Sequence, residues 1–165
     1  MHNLRRAHLL VWLLALGLGS AQAAEWIVSG RGVTIADGDT LTVLDDAKRQ
    51  HKIRLAGIDA PEGRQAFGQR SRERLGKLVH EKRVEARRHK IDRHKREICA
   101  VFTGSRDVGL VMVGEGMAWW YRAYANEQSA TDQMAYESAE DTARAARRGI
   151  WQDKTPIPPW EWRRR

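Results

Sequence analysis

The stretch GVTIADGDTLTVLDD, residues 32–46, constrains the fold more than any other part of the chain. Two β-branched runs flank an Asp37-Gly38 pair, and Asp-Gly between such runs is a strong hairpin signal, because the turn needs backbone conformations that glycine adopts without steric cost. A second turn over DDAK leads into HKIRLAGI, residues 51–58, with Ile53, Leu55 and Ile58 as the apolar positions. Gly57 marks a bulge or a close backbone approach there. Three successive strands in a meander are therefore expected.

The period then changes. In RQAFGQRSRERLGKLVHEK, residues 64–82, Phe67, Ser71, Leu75, Leu78 and Val79 recur at spacings of three and four, which predicts an amphipathic helix with an arginine-rich outer face. RVEARRHKI and REICAVF read as two more strands, and VGLVMVGEG as a short helix ending at Gly114 or Gly116. The aromatic run MAWWYRAYA follows. A last helix is predicted over about residues 128–147, with Met134, Ser138, Thr142 and Ala145 or Ala146 on its buried face and Gly149 as its glycine cap. The tail WQDKTPIPPWEWRRR, with its three prolines, reads as extended, and its tryptophans call for docking on the domain. Five short strands with about three α-helices point to an α+β chain built on a five-stranded Greek-key β-barrel of the OB type.

The first 23 residues stand apart. A basic start, the apolar run LLVWLLALGLG and an A-x-A pattern at Ala21 and Ala23 have the layout of a secretory signal. The expected organisation is a signal peptide over 1–23, one domain over 24–152, and a Pro/Trp/Arg tail over 153–165. The apolar run is shorter than the roughly 20 residues that span a bilayer. A periplasmic or secreted protein with no membrane association after signal removal is the expectation, with a retained anchor as the alternative.

A net charge of +8 and a pI near 10.1 favour a polyanionic partner, either nucleic acid or an anionic lipid or glycan surface. Cys99 is the single cysteine, which excludes a disulfide framework and weighs against thiolate chemistry; in EICAVF it reads as a small buried hydrophobe. The histidines show neither H-x-H nor H-E-x-x-H spacing, so zinc is poorly supported.

Two carboxylate-bearing segments, ADGDT and RLAGIDAPE, stand out. Each has a purely structural explanation. Asp37 and Gly38 are turn residues, Asp59 precedes Ala-Pro at a strand end, and Glu62 suits a first helical turn. Together, carboxylates at a hairpin mouth suit a hard cation such as Ca²⁺, which takes several oxygen ligands from carboxylates, backbone carbonyls and water. On a regular strand Asp59 faces away from Arg54, and a bulge at Gly57 would bring them to one side. The run DRHKRE, residues 92–97, reads by itself as a solvated turn between strands.

ADGDTLTV, IRLAGIDAPE, DRHKRE and RRGIW, in this order and at these separations, resemble the staphylococcal nuclease (thermonuclease) family over about residues 30–152. The resemblance implies an OB barrel with three helices and a calcium-dependent, sequence-nonspecific endonuclease acting on DNA and possibly RNA. It implies metal-binding roles for Asp39, Asp59 and the backbone carbonyl of Ala60, with Ala60 standing where a threonine is familiar. Glu62 matches the glutamate that orients or deprotonates the attacking water, and Arg54 and Arg96 match two phosphate-binding arginines. His94 and Lys95 depart from the family, replacing a substrate-contacting tyrosine and a turn glycine; if that position needs positive φ, Lys95 is strained. Tyr121 and Tyr124 lie near tyrosines that stack on a base, whereas Trp119 and Trp120 read better as packing residues. The alternative is a non-catalytic OB module that binds nucleic acid or another polyanion, and a basic module binding envelope surfaces is a third reading. No protein partner is implied, and a monomer is expected.

Overall fold

The Asp37-Gly38 turn forms as its sequence requires. Asp39 donates its backbone N–H to Asp37 Oδ1 at 3.0 Å, and Ala36 N–H bonds Thr40 O at 2.9 Å. Gly38 has no room for a side chain, because a Cβ there would lie 1.9 Å from Ser71 Oγ and 2.8 Å from Ala60 Cβ. The turn is thereby pressed against a helix and against the second carboxylate segment.

The computed structural model describes residues 26–165. The signal-like segment 1–23 lies outside them. The strands are β1 (Trp26–Ile35), β2 (Thr40–Asp45), β3 (Gln50–Leu55), β4 (Ile58–Asp59), β5 (Arg83–Ile91), β6 (Glu97–Thr103), β7 (Arg106–Asp107) and β8 (Trp119–Trp120). The helices are α1 (Gly68–Val79), α2 (Val108–Gly114), α3 (Ala130–Ala145) and α4 (Pro159–Trp162), with 3₁₀ turns over Arg122–Glu127 and Gly149–Gln152. β1, β2 and β3 form the expected antiparallel meander; β1 also pairs with β5, and β5 with β6. Parallel pairing of β3 with β6, Ile53 opposite Glu97 and Leu55 opposite Cys99, closes a five-stranded mixed barrel. This is the OB-type α+β fold, with β7 extending β6 and a separate β4–β8 ribbon.

Alternation along each strand fills the barrel with Leu41, Val43, Ile53, Leu55, Val84, Ala86, Cys99 and Val101. α1 covers one end through Ser71, Leu75, Leu78 and Val79, as its period predicts, while Phe67 is its half-buried N-cap. α2 adds Val108, Met112 and Val113. Trp119, Ile150 and Trp151 make a second cluster beside the first, with Phe67 and Trp160 packed on it.

Three expectations need correction. α3 buries Tyr136, Glu140 and Ala143, whereas Met134 is 63 % exposed and Ser138, Thr142 and Ala145 face solvent. The reason is Glu140, a core carboxylate: it accepts from Trp120 N–H at 3.0 Å and from Arg122 Nη1 at 2.5 Å, so a polar residue marks the inner face. α3 also ends without a glycine cap, because Arg147 takes the left-handed conformation, φ +50°, and Arg148 N–H reaches back to Ala143 O. Finally, the tail is not wholly extended. Pro159 is the first residue of a single helical turn, a position where its missing N–H costs nothing.

Candidate nuclease site

Where β3 ends, the chain turns through Ala56 and Gly57. Gly57 has φ +73°, and a Cβ there would meet the Gln128 amide at 2.6 Å. β4 then pairs with β8, Asp59 opposite Trp119. The break therefore amounts to a full turn followed by a new strand, and it brings Asp59 back to the side occupied by Arg54.

Arg54 Nη2 lies 2.9 Å from Asp59 Oδ1 and 3.2 Å from Asp39 Oδ2. Asp39 Oδ2 also accepts the Ala60 N–H at 3.1 Å, and its Oδ1 accepts the Thr40 hydroxyl at 2.9 Å. Asp39 is 6 % exposed and Asp59 1 %. Burial holds the Asp59 carboxyl above the usual range, with Asp39 adding to the shift and the guanidiniums of Arg163 and Arg54 opposing it. Burial alone would lower the Arg54 pKa, but the charges of Asp39 and Asp59 more than offset that and raise it. Asp37 is pushed up to about 6 by burial and by the neighbouring Asp39 charge.

These residues line a cleft of about 650 Å³. Of the residues singled out in the sequence, Asp39, Arg54, Asp59, Ala60, Glu62, His94, Arg96, Tyr121 and Tyr124 all border it; Lys95 does not. Arg96 belongs to the wall rather than to the carboxylate cluster. Its Nε and Nη2 bond Asp92 Oδ2 at 2.9 and 2.8 Å, and its N–H bonds Asp92 Oδ1, so the 92–96 turn orients the guanidinium. His94 donates its N–H to Asp92 Oδ1 at 2.8 Å, and its ring Nε2 accepts from Arg93 at 3.1 Å. Lys95 has φ +60°, so the position that carries a glycine in the family pattern does need the left-handed conformation.

Tyr124 is 46 % exposed, with Lys90 Nζ 4.6 Å from its ring centroid. Tyr121 is less free. It stacks on Trp160 at 5.2 Å and 23°, and meets Tyr124 edge-on. Trp119 and Trp120 are buried packing residues.

Two participants escaped the sequence reading. Asp37, explained there as a turn residue, borders the cleft. Arg163 reaches in from the tail: Nη2 lies 2.7 Å from Asp59 Oδ2, and Nη1 lies 3.2 Å from Asp59 Oδ1 and 2.7 Å from Glu62 Oε1. No signal in a run of three arginines distinguishes it.

Among the described residues, no group of three or more His, Cys, Asp and Glu side chains is arranged to hold a metal ion. Asp39 and Asp59, two buried carboxylates that share Arg54, nevertheless offer oxygen donors only, and the guanidiniums of Arg54 and Arg163 counter-charge them. That chemistry fits a hard divalent cation completed by solvent, and does not fit zinc.

Comparison with known proteins identifies the family. Residues 52–153 match the model of the family described as staphylococcal nuclease homologue. The chain is 42 % identical over 134 residues to a Haemophilus influenzae protein named uncharacterized endonuclease, covering 81 % of this chain and 72 % of that one. It is 40 % identical over 144 residues to a Shigella flexneri micrococcal nuclease, covering 82 % and 80 %. It is 39 % identical over 161 residues to the Escherichia coli protein ParB, covering 92 % and 87 %. With the OB-type barrel and the matched motifs, these similarities establish that the chain belongs to the staphylococcal nuclease family and is a nuclease of the hydrolase class.

Proposed function

We propose that the protein is an exported, calcium-dependent, sequence-nonspecific endonuclease that hydrolyses phosphodiester bonds of nucleic acid, DNA or RNA. The observation that carries this reading is the convergence of Arg54 on Asp39 and Asp59, with Glu62 and Arg96 bordering the same cleft. Export rests on the signal-like pattern of residues 1–23.

Asp39, Asp59 and the Ala60 carbonyl would hold Ca²⁺. When bound, the ion supplies positive charge beside the phosphodiester and helps position the water. The remaining work falls to the chain. Arg54 and Arg96 bind the non-bridging oxygens, where charge builds up during in-line attack. Such a preorganised donor is typically worth about 3 kcal/mol of barrier. Glu62, at the cleft rim with a 39 % exposed side chain, has the solvent access needed to orient a water and accept its proton. Tyr124 offers an exposed ring for a nucleotide base, a contact typically worth about 1–3 kcal/mol.

The test is cleavage of plasmid and of single-stranded DNA with Ca²⁺ or with a chelator. Internal cuts in both substrates only with Ca²⁺ are expected. Cleavage that persists in chelator would reject the metal role, and retained binding without cleavage would reject the catalytic assignment.

A further inference from the structure

The tail delivers Arg163 to the carboxylates by a built path. The Gln65 side chain donates to the Ile157 carbonyl, and Pro159 is buried. Trp160 stacks on Tyr121 at 5.2 Å and meets Trp119 edge-on at 6.4 Å. One helical turn later the Arg163 guanidinium makes two bonds to Asp59 and a third to Glu62. Its neighbour Arg164 makes no such contact and borders a different pocket, beside Trp119 and Trp151.

We propose that Arg163 is an intramolecular competitor for the cation, a guanidinium held by α4 across the Asp59 and Glu62 oxygens, so that cation binding requires its release. The proposal rests on the cation site described under the proposed function and adds a residue that governs its occupancy. Asp59 Oδ1 accepts from both Arg54, at 2.9 Å, and Arg163, at 3.2 Å, and Oδ2 accepts from Arg163 at 2.7 Å, so a cation at Asp59 meets a guanidinium on each oxygen. Two positive charges within a few ångströms at a nearly solvent-free carboxylate also repel strongly. Release is feasible without unfolding, because the Arg163 side chain is 44 % exposed and ends the helical turn, while Trp160 anchors the turn independently. Once released, Arg163 remains tethered at the cleft mouth, and Glu62 is freed for solvent.

The experiment is Ca²⁺ titration by calorimetry of the chelator-treated protein, for wild type, Arg163→Gln, Trp160→Ala and Arg164→Gln, with melting temperature followed in parallel. Arg163→Gln is expected to bind Ca²⁺ at least about tenfold more tightly, the equivalent of about 1.4 kcal/mol. Trp160→Ala, which loosens the tail, should shift affinity in the same direction, and Arg164→Gln should match wild type. Without Ca²⁺, Arg163→Gln should melt lower than wild type because Asp59 loses a counter-charge, and Ca²⁺ should raise its melting temperature by more than it raises the wild type's. Unchanged or weaker Ca²⁺ binding by Arg163→Gln would overturn the proposal and make Arg163 a residue that positions the carboxylates. Failure of the cation site itself looks different: neither wild type nor Arg163→Gln would bind Ca²⁺ at all, and the proposal would fall with it.

Discussion

Arg54 and Asp59 are joined at 2.9 Å across a strand end and a tight turn, although a regular strand would put them on opposite faces. The turn at Gly57 creates this relationship, and the proposed chemistry depends on it. Arg54→Ala should lower single-turnover cleavage by about a hundredfold or more, the usual effect of removing one preorganised donor. DNA affinity should fall far less. Equal losses in rate and affinity would make Arg54 a binding residue.

Arg96 is held by Asp92 at the cleft wall, away from the carboxylates. Asp92→Asn keeps the turn geometry but removes the charge that orients the guanidinium. Cleavage should slow with little change in the Ca²⁺ concentration required. A large change in that requirement would mean that the loop takes part in holding the cation.

Lys95 adopts φ +60°, a conformation that an L side chain resists and glycine does not. Lys95→Gly should stabilise the protein by about 0.5–1 kcal/mol in denaturant melts, strain relief exceeding the entropic cost of glycine. A loss of stability would show that the Lys95 side chain has a favourable role.

Glu140 accepts from the Trp120 N–H in the core, with Arg122 and Arg144 as half-exposed partners. Glu140→Ala leaves that N–H unpaired, while the two arginines return to solvent. A loss of about 1–3 kcal/mol is expected in chemical denaturation, the cost of one buried unsatisfied donor. No loss would mean the carboxylate is dispensable to the fold.

Asp107 caps α2, accepting from Leu110 N–H and from the Tyr136 hydroxyl. Burial raises its pKa above the unfolded value. A raised folded pKa means that its contribution is complete below the unfolded pKa and lost as pH climbs through the folded one. Asp107→Asn should therefore gain stability relative to wild type as pH rises above about 4, the unfolded pKa of an aspartate. A pH-independent difference would contradict the assignment.

The parts of the fold carried by local pattern were legible in the sequence: the Asp-Gly hairpin, the meander, and the 3.6-residue period of α1. The inner face of α3 was not, because hydrophobic counting favours Met134 and discards Glu140, and only the long-range bond to Trp120 N–H reverses that choice. The helical turn at Pro159 was hidden because proline both interrupts helices and begins them. In the site, Asp39, Arg54, Asp59, Glu62 and Arg96 were singled out by the resemblance of their motifs to the family, and all five border one cleft. Arg163 was not, since its contacts lie 101 and 104 residues away and depend on the docking of Trp160 onto Tyr121.

The most direct measurement is single-turnover cleavage of an end-labelled oligonucleotide by chelator-treated protein to which Ca²⁺ is returned, for wild type beside Glu62→Gln. The account predicts internal cuts that appear only with Ca²⁺, slowed by about a hundredfold or more in Glu62→Gln while the oligonucleotide still binds. Equal rates for the two proteins, or cutting that needs no added cation, would contradict it.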